Sequence, residues 1–202
     1  MARPRPLFAR ELTEKLAAQA GRGGGGGGAP TKLCWWFQDE ARVGQQGTLT
    51  SVWAERGSRP SVVRQTEYEW VYLYAAVDPV GGRSSAMLAP TVNTALMNQH
   101  LTFIGEQLGS DEHAILVLDG AGWHVSKGLV VPANVTLLHL PPYSPELNPA
   151  ERLWAYLRSH HLSNRVYKDY DELFDVTAAA WNRLDEERIK SLCRVAWVER
   201  AS

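Results

Sequence analysis

The sequence predicts an α/β fold, a mixed sheet flanked by helices, and three features carry that prediction. Short runs rich in β-branched and aromatic residues come first, each bounded by Gly, Pro or Asp. A helical recurrence at three and four residues follows, through Leu96, His100, Phe103, Ile104 and Leu108. Two continuous apolar runs, 114–118 and 135–140, then read as strands covered on both faces, with more helical patterning behind them. Strands grouped first and then alternating with helices make a layered sheet-and-helix domain.

The elements follow in order. Phe8, Leu12 and Leu16, four apart, predict a short amphipathic helix over 7–20. Six consecutive glycines, Gly23 to Gly28, are costly to order and read as a flexible linker, so residues 1–30 form an N-terminal extension and 31–202 the folded domain. Residues 32–37, 48–54 and 70–77 are expected strands, and their short connections predict an antiparallel meander. The piece at 85–88 fits either an added strand or a sheet edge. A helix is expected over 93–108, strands over 114–118 and 135–140, and another helix with Asn148 as N-cap and Pro149 in its first turn. Its inward stripe is Leu153, Trp154, Leu157 and His161. The last helix spans 170–184, with 188–192 as a continuation or a separate helix.

Composition narrows the function. The 202 residues are 45% hydrophobic and 21% charged, with a formal net charge of -1, which excludes a uniformly basic nucleic-acid coat and an acidic tail. A polyanion would have to meet a local patch. The two cysteines, Cys34 and Cys193, form no CxxC pair, so neither a disulfide framework nor a cysteine zinc site is indicated. Neither a signal peptide nor an apolar run long enough to span a bilayer is present, so a reduced, cytoplasmic protein without membrane contact is expected.

Acids at the ends of buried strands are the candidate chemistry, because ligands of open α/β sheets gather there. Asp39 ends the first strand, Asp119 follows 114–118, and Glu151 lies in the first turn of the helix after the last strand. Hard divalent cations seek such oxygen ligands. Two of them also have a structural reading: Asp119-Gly120 as turn chemistry, and Glu151 as the partner of Asn148 in a capping box. Glu40 ranks below Asp39 because neighbours on a strand point to opposite faces.

The stretch Leu140-Pro141-Pro142-Tyr143-Ser144-Pro145-Glu146-Leu147-Asn148-Pro149-Ala150-Glu151-Arg152-Leu153-Trp154 resembles the signature of DDE transposases, specifically the insertion sequence 630 family of the mariner superfamily. Trp36-Phe37-Gln38-Asp39-Glu40-Ala41-Arg42 looks like that family's first acidic motif, and Leu118-Asp119-Gly120-Ala121-Gly122-Trp123-His124 like its second. The resemblance covers roughly residues 33–195. It implies a ribonuclease-H-like fold, with three antiparallel strands followed by parallel ones, and a catalytic, metal-binding triad of Asp39, Asp119 and Glu151. It further implies two Mg ions, with Mn as a substitute, serving cleavage and strand transfer of double-stranded DNA at transposon ends and target. Residues 1–30 are too few for the helix-turn-helix module of related transposases, so the chain is expected to depend on a homodimer or a partner carrying that module.

Arg152, Arg158, Arg165 and Lys168 lie in an acid-free stretch and form the candidate phosphate patch, while His124 follows Asp119 closely enough to reach a phosphate or move a proton. The tryptophans read as packing, and His100 as a core residue. Two rivals remain at this level: a catalytically silent remnant that binds only DNA or another transposase, and a metal-independent carboxylate-pair glycoside hydrolase.

Overall fold

The computed structural model describes residues 32–45, 53–58, 61, 65, 68–195 and 198. The expected N-terminal helix and the glycine tract lie outside them. A five-stranded mixed sheet has the order β3-β2-β1-β4-β5, formed by β1 (Lys32–Gly44), β2 (Trp70–Asp78), β3 (Arg83–Ala89), β4 (Glu112–Leu118) and β5 (Val135–His139). Four helices flank it: α1 (Thr94–Glu106), α2 (Ala150–Leu157), α3 (Tyr170–Trp181) and α4 (Glu186–Cys193). A π-helical turn, Arg158–Leu162, extends α2.

The central strand changes partners. From Lys32 to Phe37, β1 runs parallel to β4, and from Phe37 to Gly44 it runs antiparallel to β2. Strand alternation sends Trp35 and Phe37 to one face, under α2, α3 and α4, and Cys34 and Trp36 to the other, under α1. Every residue of β4 is buried, as its unbroken apolar run requires. Cys34 and Cys193 are both free and lie in the cores on opposite faces. His100 is a core residue, fully buried and edge-on to Tyr74 at 5.8 Å; burial pushes its pKa down to about 4 and keeps it neutral.

The meander differs from expectation in one member. Most of the expected strand at 48–54 lies outside the described residues, and its last two, Trp53 and Ala54, are not in a strand. The third antiparallel strand is β3, made by the sequence left open at 85–88. Its hairpin is set by Asp78, whose Oδ1 accepts from the N–H groups of Val80 and Gly81 while its carbonyl accepts from Gly82, at φ 73°. Arg83 closes the turn by pairing with Asp78 at 2.9 Å.

Helix boundaries follow their caps. Asn93 accepts from Leu96 N at 2.9 Å to start α1, which ends two residues before the expected Leu108. Asp169 and Asp185 open α3 and α4 in the same way, so 188–192 belongs to a separate helix. Asn148 is not the N-cap of the helix as expected: Pro149 takes that place, without a side-chain cap bond, and Asn148 lies just before it. The Asn148 Oδ1 accepts from Ala150 N at 3.1 Å while its Nδ2 donates to the Gln38 carbonyl at 2.9 Å, tying the start of α2 to β1.

At the far end of β1 a β-carbon on Gly44 would fall inside the ring of Trp70, over which the Arg42 guanidinium stacks at 4.1 Å. Gly44→Ala is therefore expected to displace the ring and cost about 1–3 kcal/mol, read as a lower denaturant midpoint with the slope unchanged.

Candidate active site

The parallel register brings the two aspartates side by side. Phe37 pairs with Val117, so Asp39 and Asp119 each stand two positions further along neighbouring strands, where β4 has ended and β1 continues beside β2 alone. Asn148 holds the first turn of α2 against Gln38, next to Asp39, and that turn carries Glu151. Asp39, Asp119 and Glu151 consequently line one open cavity of about 500 Å³, closed on another side by Pro141, Pro142 and Tyr143 from the loop after β5.

The three carboxylates are held differently. Asp39 accepts from the Trp154 indole N–H at 2.8 Å and from Glu40 N at 2.9 Å, one bond to each oxygen. Burial nevertheless raises its pKa to about 7, with Trp154 opposing and the charge of Glu151 adding to the rise. Asp119 is pulled below the usual carboxylate range, chiefly by His124, whose Nδ1 lies 2.6 Å from its Oδ1. Glu151 is exposed, and its carboxylate makes no hydrogen bond among the described residues. The expected bond back to the Asn148 N–H does not form, which leaves Glu151 free to face the cavity.

His124 lies beneath this surface. Its side chain is fully buried, with Nε2 2.9 Å from Glu40 Oε1 and Nδ1 on Asp119. Burial works against a charged ring, but the bonds to Asp119 and Glu40 outweigh it and lift its pKa to about 9. Two carboxylate oxygens facing both nitrogens require both to carry protons, so His124 is an imidazolium. It reaches no surface on which DNA could lie. Glu40 sits on the opposite face of β1 from Asp39, as alternation requires, and also accepts from Gln38 Nε2 at 2.9 Å and Trp123 Nε1 at 3.1 Å. Periodicity foretells that Trp123 and Trp154 pack; it does not tell that their indole N–H groups hold site carboxylates.

The basic residues separate. Arg152 donates to the carbonyls of Leu192 and Arg194, at 3.3 and 2.8 Å, and closes the C-terminal end of α4. Arg158 and Arg165 are exposed with no carboxylate partner among the described residues, whereas Lys168 lies 3.6 Å from Asp169. Arg183, not singled out by the sequence pattern, joins Arg165 and His161 around a small cavity of about 210 Å³. Tyr143 is also new: its ring is almost fully exposed at the cavity rim, on backbone at φ 57°.

The donor set suits a hard divalent cation. All three groups are carboxylates, the oxygen ligands that such cations take. Among the described residues no three His, Cys, Asp or Glu side chains converge on one point.

Comparison with known proteins places the chain. Residues 35–174, well over half of it, match the family of DDE superfamily endonucleases. The chain belongs to that family. The resemblance read from the acidic motifs is thereby borne out. A curated relative of this DDE chain, the uncharacterized protein y4pE/y4sA of Sinorhizobium fredii (strain NBRC 101917 / NGR234), is 43% identical over 134 residues, 65% of this chain and 99% of the relative. In fold the chain is similar to the Mos1 mariner paired end complex with Mn, at TM-score 0.62 and 19% identity over 96% of this chain and 60% of that one. A pre-cleavage Mos1 transpososome gives TM-score 0.61 at 16% identity, with the same two shares of 96% and 60%. The DDE chain thus spans about 60% of the Mos1 chains it matches, and the fold is ribonuclease-H-like, as expected.

The raised pKa of Asp39 has a defined sign. Between about pH 4 and pH 7 the unfolded chain ionises this carboxyl and the folded chain keeps it protonated, so its contribution to stability falls as pH rises through that window and stays low above it. With divalent ions chelated, Asp39→Asn is expected to stabilise the protein at pH 8 and to leave it unchanged near pH 4, as compared by denaturant midpoints at the two pH values.

Proposed function

We propose that this chain is the catalytic domain of a transposase of an insertion sequence, cutting DNA at the element's ends and joining them to a target in a divalent-metal-dependent reaction. The observation that carries the reading is that Asp39, Asp119 and Glu151, brought from two strands and a helix, line one open cavity. Membership of the DDE superfamily endonucleases supports it, as does the likeness in fold to Mos1 complexes described with Mn and with Mg.

In this reading Asp39, Asp119 and Glu151 hold two Mg ions, with Mn as a substitute. When bound, the ions supply activation of an attacking hydroxyl and stabilisation of the leaving oxygen at a phosphorus centre. The protein's share is placement. Trp154 orients Asp39 from the α2 side, and Asn148 sets α2 so that Glu151 approaches from above the strand ends. Pro141, Pro142 and Tyr143 wall one side of the cavity, and the exposed ring of Tyr143 offers a surface on which a DNA base can stack. Arg158, in the π-helical turn that extends α2, and Arg165, in the loop after it, meet backbone phosphates, with Lys168 further out. Arg152, engaged with α4, contributes less. A second copy, or a partner bearing a DNA-recognition module, completes the assembly, in keeping with the paired-end form of the Mos1 complex.

Two measurements test the reading. Calorimetric Mn titration together with nicking of supercoiled DNA should give saturable binding and metal-dependent cleavage in the wild type. Asp119→Asn should lose the binding and slow cleavage at least about 100-fold. A wild-type chain that binds DNA but never cuts it, with any metal, would make it a silent accessory protein. For the phosphate patch, Arg158→Ala and Arg165→Ala should each weaken duplex binding equally across sequences and lower the salt slope by about 1, read by anisotropy over a salt series in chelator.

A further inference from the structure

Asp119 stands where the chain leaves the sheet, and a β-carbon on its neighbour Gly120 would meet only open space. The carboxylate is 56% exposed, and such a side chain would ordinarily turn among rotamers. It does not have that freedom. Oδ1 accepts from Ala121 N at 2.9 Å and from His124 Nδ1 at 2.6 Å, so the second oxygen, which takes no hydrogen bond among the described residues, is the one left to the cavity.

His124 is itself braced. Its Nε2 bonds Glu40 Oε1 at 2.9 Å, and that oxygen is anchored by Gln38 Nε2 and Trp123 Nε1. The ring lies edge-on to Trp123 at 5.7 Å, and His139 Nε2 reaches the His124 carbonyl at 3.1 Å. We propose that His124, braced by Glu40, is a positioning residue that fixes Asp119 in the orientation in which it receives a divalent cation. The proposal rests on the metal-binding reading of the cavity given above. Outer partners of this kind align a metal's carboxylate ligands before the ion arrives, so that little ordering remains to be done on binding. The brace is built from both faces of β1: Asp39 serves the cavity from one, and Glu40 steadies the second aspartate from the other.

The test is Mn calorimetry on the 202-residue chain, with thermal melting alongside, for the wild type, Asp119→Asn, His124→Ala and Glu40→Gln. Glu40→Gln keeps the side chain's size and an oxygen for Trp123. It is expected to melt close to the wild type yet bind Mn about 10- to 100-fold more weakly, and His124→Ala at least as weakly. A purely structural brace would lower the melting temperature and leave Mn affinity unmoved well below the transition. Should His124→Ala fail to fold, Glu40→Gln decides alone. Wild-type affinity in the folded Glu40→Gln or His124→Ala proteins, with binding lost in Asp119→Asn, overturns the positioning role and leaves the metal site standing. No Mn uptake by the wild type, or unchanged uptake by Asp119→Asn, removes the metal site and this proposal with it.

Discussion

The site depends on the point at which β1 exchanges one neighbour for another. Up to Phe37 the strand is paired with β4, and from Phe37 onward with β2. Where β4 ends, the edge of β1 beyond Phe37 is left without a strand beside it, and Asp39 and Asp119 line the cavity there. Polar side chains there are close to one another and open to solvent, which is what a site for a charged ligand requires. The hydrophobic faces on either side, fully buried at Trp36 and Phe37, keep that gap in place.

Two different kinds of attachment then complete the cavity. Hydrogen bonds from buried or partly buried groups restrain Asp39 and Asp119, each from a separate face of the sheet: the Trp154 indole on one, the His124 imidazolium on the other. Glu151 has no such restraint and depends on its helix alone for position. The site therefore combines two carboxylates set by the fold with one that adapts to its occupant. The cost of burying a carboxylate shows at Asp39, the most buried of the three, with the charge of Glu151 adding to it.

Much of this was legible in the residues. The acidic motifs name Asp39, Asp119 and Glu151, and the element order puts each at a strand end or helix start because apolar runs and caps are local signals. What stayed hidden needed tertiary information. Strand β3, with its mixed Arg83-Ser84-Ser85 start, lacks the clean alternation of a strand packed on one side, and its existence follows from the Asp78 turn. Alternation rightly sends Glu40 to the face opposite Asp39, yet cannot say that His124 would be waiting there, 84 positions along the chain. No periodicity distinguishes an arginine that caps a helix, as Arg152 does, from one without a carboxylate partner among the described residues, as is Arg158.

The tie between Asn148 and the Gln38 carbonyl spans 110 positions, and that between Trp154 and Asp39 spans 115. Contacts so distant in sequence form late, since a long loop must close before they repay its entropy. A chain emerging from the ribosome builds β1, β2 and β3 while the segment bearing Asn148 and Glu151 is still unsynthesised. During that interval the first acid is in place with neither of its companions, and nothing resembling a cutting site exists. Under the proposed function, biosynthesis carries its own safeguard: a nascent chain cannot cut DNA until the segment through α2 has been made and docked.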